Sequence, residues 1–428
     1  MPDGSRSLPD LRAVLGLADF RRLLLVRLVG QTADGMLQVG LATFVFFSPE
    51  RAATPARVAL GFALLLLPFS VVGPFSGVLL DRWFRRQVLV VANVARFAGI
   101  GFVAVLVSSG YDSAVLYALA LVVLGLNRFV LAALGASLPH VVPAPRLVTA
   151  NAIAPTAGTA MSFVGAGLGV VVAMSMPDSG DRADALVVGL AAATCLVAAW
   201  CALRLPRDRL GPDVPVRLRA SSALADVASG VAAGLRHLRE RATAGRGLVV
   251  MGGHRFLFGA VTVMSIVVFR NSFYPGDPSA ALGALGLSLA VGGAGAVVGA
   301  VLTPGGTRRL GSRRWMTGLL VLAGVTVAVA LPSFRQPAFV IAAFFVGVAA
   351  QGLKVSVDAL VQAEVDDTFR GRVFTVYDVV FNVAFVLAAM LTAVVIPLDG
   401  ESQAVVAGVA AGYLALAWWY HRRGGEPA

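Results

Sequence analysis

Charge is scarce in this 428-residue chain, only 14% Asp, Glu, Lys and Arg against 58% hydrophobic residues, and that balance excludes an ordinary water-soluble domain. Lysine is nearly missing: Lys354 stands alone, so the positive charge is carried by arginine. The two cysteines, Cys195 and Cys201, are six apart on one apolar run and too far round and along a helix to bridge; a disulfide framework is excluded. Four scattered histidines, no HExxH and no P-loop leave no catalytic constellation and no nucleotide site, so neither an enzyme nor a nucleotide-driven pump is expected. No secretory cleavage site precedes Leu23, and the first apolar run reads as a retained span.

What the chain has in abundance is apolar length. Runs of about 20 residues, each able to cross a hydrocarbon core of ~30 Å, recur from Leu23 to Tyr420, twelve by this reading. The expected fold is an all-α membrane protein of twelve transmembrane helices in two six-helix halves. The boundaries fall at a cytoplasmic amphipathic segment (1–22), a first bundle (23–203), a linker with an amphipathic helix (204–246), a second bundle (247–420) and a tail (421–428). A net charge of +12 invites a nucleic-acid reading, but the arginines sit in alternate loops rather than on one face. That pattern is the positive-inside bias, and it places both termini in the cytoplasm and the chain in an inner membrane. Lipid, not nucleic acid, is the expected surroundings.

The polar exceptions are the informative residues. A basic turn, GVLLDRWFRR, runs from Gly77 to Arg86 between spans 2 and 3, with Asp81, Arg82, Arg85 and Arg86 at the membrane-water boundary. Charges at depth cost about 2.5–3.5 kcal/mol each on insertion scales, which makes each a candidate site. Asp34 in span 1 and Arg128 in span 4 lie at matching depths of roughly 15–18 Å. Lys354 and Asp358, one turn apart in span 10, face Asp378 in span 11 at a similar depth, so Lys354 can pair with either carboxylate. Arg27, Arg96 and Arg255 lie nearer the inner ends, where long side chains reach headgroups. Gln31, Asn127, Arg255, Phe258, Phe345, Tyr377 and Phe381 are the candidate lining of a substrate cavity. The string from Gly165 to Gly169 has no preceding strand and reads as helix packing, not a dinucleotide loop.

The halves also match in outline. The turn after span 2 has a partner in GAVLTPGGTRR after span 8, and HVVPAPRLVTAN after span 4 has one in AEVDDTFRGRVF after span 10. On these residues the chain resembles the major facilitator superfamily over essentially its whole length. Gly77, Leu79, Asp81, Arg82, Arg85 and Arg86 are similar to that family's signature between helices 2 and 3, with Phe84 where glycine is usual. Arg128 is similar to the motif arginine of its drug:proton antiporter branch, with Leu131 and Ala132 in place of glutamine and glycine. Gly158, Gly165 and Gly169 resemble the antiporter motif of span 5, lacking its Gly-Pro pair. LPHVVPAPRLVTANAI and VQAEVDDTFRGRVF resemble siderophore-exporter-like members. The resemblance implies alternating access, a cytoplasmic gate at Gly77 to Arg86, and a cavity lined by helices 1 and 4 in which Asp34 pairs with Arg128. Together these readings give proton-coupled efflux of an amphipathic or hydrophobic small molecule by a monomer, with a proton gradient and no cofactor. Uptake, lipid flipping, or a non-transporting receptor or scaffold are the alternatives.

Overall fold

The computed structural model describes residues 7–44, 54–63, 66, 83–111, 113–143, 146–176, 181–206, 210 and 220–423. Gly77, Asp81 and Arg82 of the basic turn lie outside the described residues. So do Leu79 and most of the expected span 2, of which 55–63 is helical.

Every regular element described is helical, in the order α1 (Ser7–Gly16), α2 (Ala18–Ala42), α3 (Arg85–Ser108), α4 (Ala114–Val141), α5 (Leu147–Met174), α6 (Asp181–Leu203), α7 (Ala220–Glu240), α8 (Ala242–Val268), α9 (Pro278–Leu310), α10 (Ser312–Ala330), α11 (Gln336–Glu364), α12 (Asp367–Val395) and α13 (Gln403–Arg423). Ten of the described helices are long and apolar enough to cross a membrane. Among the expected spans, α2 is not one of the ten: Arg27, Gln31, Asp34 and Gln38 hold its hydropathy down. The described part of the expected amphipathic segment, 1–22, holds α1 and the start of α2, because Leu17 is extended and breaks the chain between them.

Large apolar side chains stay exposed all along these helices, among them Phe163 on α5, Val301 on α9, Val329 on α10 and Val394 on α12, each more than 70% exposed. Such surfaces are stable only in a solvent as apolar as themselves. With no water to expel between helices, association rests on close packing, and glycine supplies it. A Cβ on Gly35 or Gly165 would collide with the backbone of the facing helix in the α2–α5 pair, at Ser162 and Thr32. Gly295, Gly299 and Gly347 do the same for α9 and α11, against Phe344, Val348 and Gly292. Gly167 faces open space, so the expected helix contact uses Gly165 and Gly169 rather than the whole series.

Two compact units divide the chain: residues 1–44 with 71–225, and 45–70 with 226–428. In the first, α2 packs on α5 and α6, and α3 on α4 and α6. In the second, α9 packs on α11, α8 on α12, and α10 on α13. Helix α8 does not stop at Val268 but tightens into a π-helical turn, Phe269–Phe273, whose Asn271 donates to Leu398 O at 2.6 Å. Asp277 then opens α9, accepting from the Ala280 amide at 2.9 Å with Pro278 in the first turn. These amide and hydroxyl donors hold the exposed Asp277 carboxyl below its ordinary range, the Ala280 amide contributing most.

Candidate functional site

In the first unit the polar residues converge on Asp34, which is 2% exposed in the middle of α2. Its partner is Arg96 of α3, fully buried, whose Nη2 donates to Asp34 Oδ1. The other terminal nitrogen, Nη1, donates to Asn93 Oδ1 at 3.3 Å, and Asn93 Nδ2 donates to Leu89 O at 2.7 Å. Asn127 of α4, also buried, adjoins the same carboxylate. Asp34 Oδ2 is buried without a well-formed hydrogen bond among the described residues. Helix α6, which packs against both α2 and α3, turns Ala191, Ala192, Cys195 and Ala198 inward; these small side chains leave room for a long arginine to cross.

This corrects the expected pairing. Arg128 lies half-buried on α4, but the cation that Asp34 takes is Arg96, and Arg96 does not reach toward headgroups. Physically the outcome is reasonable, since an arginine with no access to water is sustainable only with an acid against it. Gln31 lies half-buried one turn before Asp34 on α2. Arg27 lies across Gly158 of α5, where a Cβ would come within 3.1 Å of its Nε, so that glycine makes space for a charge rather than for another helix.

The described part of the basic turn is tied to backbone. Arg85 is in the first turn of α3, 9% exposed, and its Nη1 donates to Ala136 O at 2.8 Å and to Leu210 O at 2.9 Å, with His140 Nδ1 at 3.2 Å. Arg86 donates to Leu203 O at 2.7 Å, at the end of α6. Arg86 thus meets the last carbonyl of α6, where an unsatisfied acceptor and the negative end of the dipole favour a cation, while Arg85 joins the end region of α4 to Leu210, outside any helix.

In the second unit Lys354 Nζ donates to Asp358 Oδ2 at 2.6 Å, one turn along the same helix. Asp378, beside it on α12, accepts through its backbone carbonyl from Asn382 at 2.8 Å. Tyr377 stands 6.0 Å from Lys354 at its ring centre and stacks on Phe381 at 6.2 Å. Arg255 of α8 reaches the same cluster: its guanidinium lies 3.9, 4.8 and 5.6 Å from the rings of Phe381, Phe385 and Phe258, and its Nε donates to Phe381 O at 3.4 Å. No carboxylate among the described residues pairs with it. Four of the expected lining residues, Arg255, Phe258, Tyr377 and Phe381, therefore meet in one place. Phe345 does not join them; it is 39% exposed and packs edge-on against Phe344. His254 is buried next door, its Nδ1 3.2 Å from Tyr413 Oη.

Asn93 escaped the sequence reading. The available signal was its i,i+3 spacing to Arg96, which puts both on one face of span 3. Among the described residues no cluster of three His, Cys, Asp or Glu is arranged to hold a metal.

Comparison with known proteins agrees with this architecture. The sequence pattern described as the Major Facilitator Superfamily matches residues 23–389. A relative in Mycobacterium tuberculosis, described as an uncharacterized MFS-type transporter, is 38% identical over 407 residues, covering 94% of this chain and 91% of its own. Among solved structures, a bacterial homologue of the iron transporter ferroportin in an inward-facing state superposes with a TM-score of 0.64 at 17% identity, over 96% of this chain and 100% of that one. The xylose transporter XylE from E. coli, in a partially occluded inward-open conformation, gives 0.61 at 13% identity, over 95% and 98%.

Proposed function

This chain belongs to the Major Facilitator Superfamily, and we propose that within it the protein exports an amphipathic or hydrophobic small molecule by alternating access, drawing on a proton gradient. The observation that carries the proposal is Asp34: a carboxyl buried in an apolar bundle, with Arg96 of α3 against one oxygen and Asn127 of α4 adjoining. A buried carboxyl held by one arginine takes up a proton at the cost of that ion pair, so its charge state follows whatever perturbs the pair. Protonation neutralises Asp34 and leaves the buried Arg96 charge without its counter-ion, which favours a conformation in which Arg96 meets water or another partner. In the second unit the aromatic faces around Arg255 suit a flat or amphipathic substrate, and Lys354 with Asp358 is a second ionic contact for the cycle. The chain works as a monomer in an inner membrane with both ends in the cytoplasm, twelve spans, no cofactor and no catalytic step. Bonding of Arg85 and Arg86 to helix ends supports a cytoplasmic gate at the basic turn.

The test uses vesicles holding the purified protein and a trapped pH dye, challenged with a panel of amphipathic compounds. Transported compounds move protons through the native chain, and Asp34→Asn lowers that flux at least about tenfold while the protein still inserts and binds. Uptake appears as the opposite direction of proton movement. Undiminished proton-linked flux in the variant removes Asp34 from the mechanism.

A further inference from the structure

A hollow of about 680 Å³ lies outside the buried sites, where α7 ends, α8 begins and the turn before α12 passes. Three of its lining residues are arginines, Arg236, Arg241 and Arg372. Its floor is a flat stack: the His237 ring lies parallel to Phe369 at 4.4 Å and 5°, with the Arg372 guanidinium 5.5 Å from the same phenylalanine ring. Arg241 is engaged, donating to both oxygens of Asp366 at 3.0 and 3.3 Å. Arg236 is exposed and has no acid partner among the described residues; Arg372 has only the ring. His237 is 6% exposed, yet its Nε2 has no hydrogen bond, Asp366 Oδ2 being 3.7 Å away. Glu240 is at the rim, its carboxylate 3.9 Å from His237 Nδ1 and 67% exposed.

The surrounding backbone is built for this approach. Gly234 of α7 has no side chain, and a Cβ there would come within 3.1 Å of Arg372 O, so the helix can sit directly on the start of α12. Candidate spans begin at Ala242 and Arg372, which puts the hollow at headgroup level. The C-terminus of α7 and the N-termini of α8 and α12 meet beside it, so the helix ends contribute dipoles of both signs and the positive charge of the hollow comes from its arginines.

We propose that this hollow is a binding site for a phosphate group, with Arg236 and Arg372 as its forks and His237 Nε2 as a buried third contact. Guanidinium forks match phosphate oxygens two at a time, and a buried unpaired ring nitrogen gains a partner when the ligand arrives. Occupancy ties the linker helix to the turn before α12. Both an anionic lipid headgroup and free phosphate carry this chemistry.

The experiment takes the full-length protein and the exposed-site variant Arg236→Gln/Arg372→Gln. One arm follows the thermal midpoint in detergent as sodium phosphate replaces sodium chloride at equal ionic strength. The other counts phosphatidylglycerol molecules retained by native mass spectrometry, with phosphatidylcholine as the uncharged control. The site predicts that at least one arm responds in the native chain and that the variant binds about tenfold more weakly or worse. His237→Phe, which keeps the stack and removes the nitrogen, weakens the same arm. A response to phosphatidylglycerol alone assigns the site to lipid; a response to both means the phosphate group suffices. If native chain and variant behave alike in both arms, the proposal is overturned.

Discussion

Replacing Arg96 with methionine leaves the Asp34 carboxyl buried at 2% exposure, without the one charged partner it has among the described residues. Breaking one side of a buried pair costs about 3–5 kcal/mol, because the remaining charge keeps its desolvation penalty and loses its attraction. Removing both, as Asp34→Leu/Arg96→Met, eliminates the penalty together with the attraction and is expected to be neutral or stabilising by up to about 4 kcal/mol. Asn93 loses an acceptor role in either variant, a smaller term of about 1 kcal/mol. At roughly 2–4 °C per kcal/mol for a unit of this size, the single change lowers the midpoint by roughly 6–20 °C while the double recovers most of it. The chain supplies its own reporter. Cys195 and Cys201 are its only thiols, both are on α6, and they are 0% and 5% exposed, so a thiol-reactive fluorophore reads opening of the first unit. Midpoints are compared at one scan rate, since such unfolding is kinetic. Equal losses in the single and double variants would refute the reasoning, for they would mean the two side chains contribute independently.

The helix contacts give a sharper contrast. Gly295→Val sets a side chain into the Phe344 backbone and is expected to lower the midpoint as overpacking of about 1–3 kcal/mol or more, whereas Gly293→Ala, with nothing within 4 Å, is neutral; the same thermal assay applied to both would expose an error if they matched. Lys354 is the only lysine, so reductive ¹³C-methylation marks one side chain besides the N-terminus, and its NMR signal moves in Asp358→Asn if the 2.6 Å bond persists in the membrane; a signal that stays in place contradicts it. Arg241 and Asp366 are about half exposed, so their coupling in a double-mutant cycle stays below about 1 kcal/mol despite the two-oxygen geometry. A larger coupling would mean the hollow beside them is drier than its open side suggests.

Hydropathy made the apolar helices from α3 onward legible as candidate crossings, because lipid imposes length and composition on each crossing independently of its neighbours. Partnerships were less legible. The Asp34 to Arg128 pairing rested on matched depth and on the family's cavity, but Arg96 lies at a comparable depth and small residues on α6 let it cross. Depth is a one-dimensional coordinate; which helix faces which is set by glycine and alanine placement, which depth does not encode. The linker helix shows the same limit. Apolar spacing marks it as an amphipathic helix, and Leu238 is buried, but the closest approach is at Gly234, against the backbone of Arg372, which apolar spacing does not encode. The π-helical turn at Phe269–Phe273 has no signature in apolar periodicity, though the polar pair Asn271 and Ser272 inside a span marks the place.

Everything proposed about transport depends on the Asp34 carboxyl changing its proton occupancy during the cycle. Infrared difference spectroscopy of the protein in bilayers, on adding a transported compound, reads that change directly as a carboxyl band. The account predicts a ligand-induced band from a buried carboxylic acid that disappears in Asp34→Asn and persists in Asp378→Asn. A difference spectrum identical in the native chain and Asp34→Asn would contradict it.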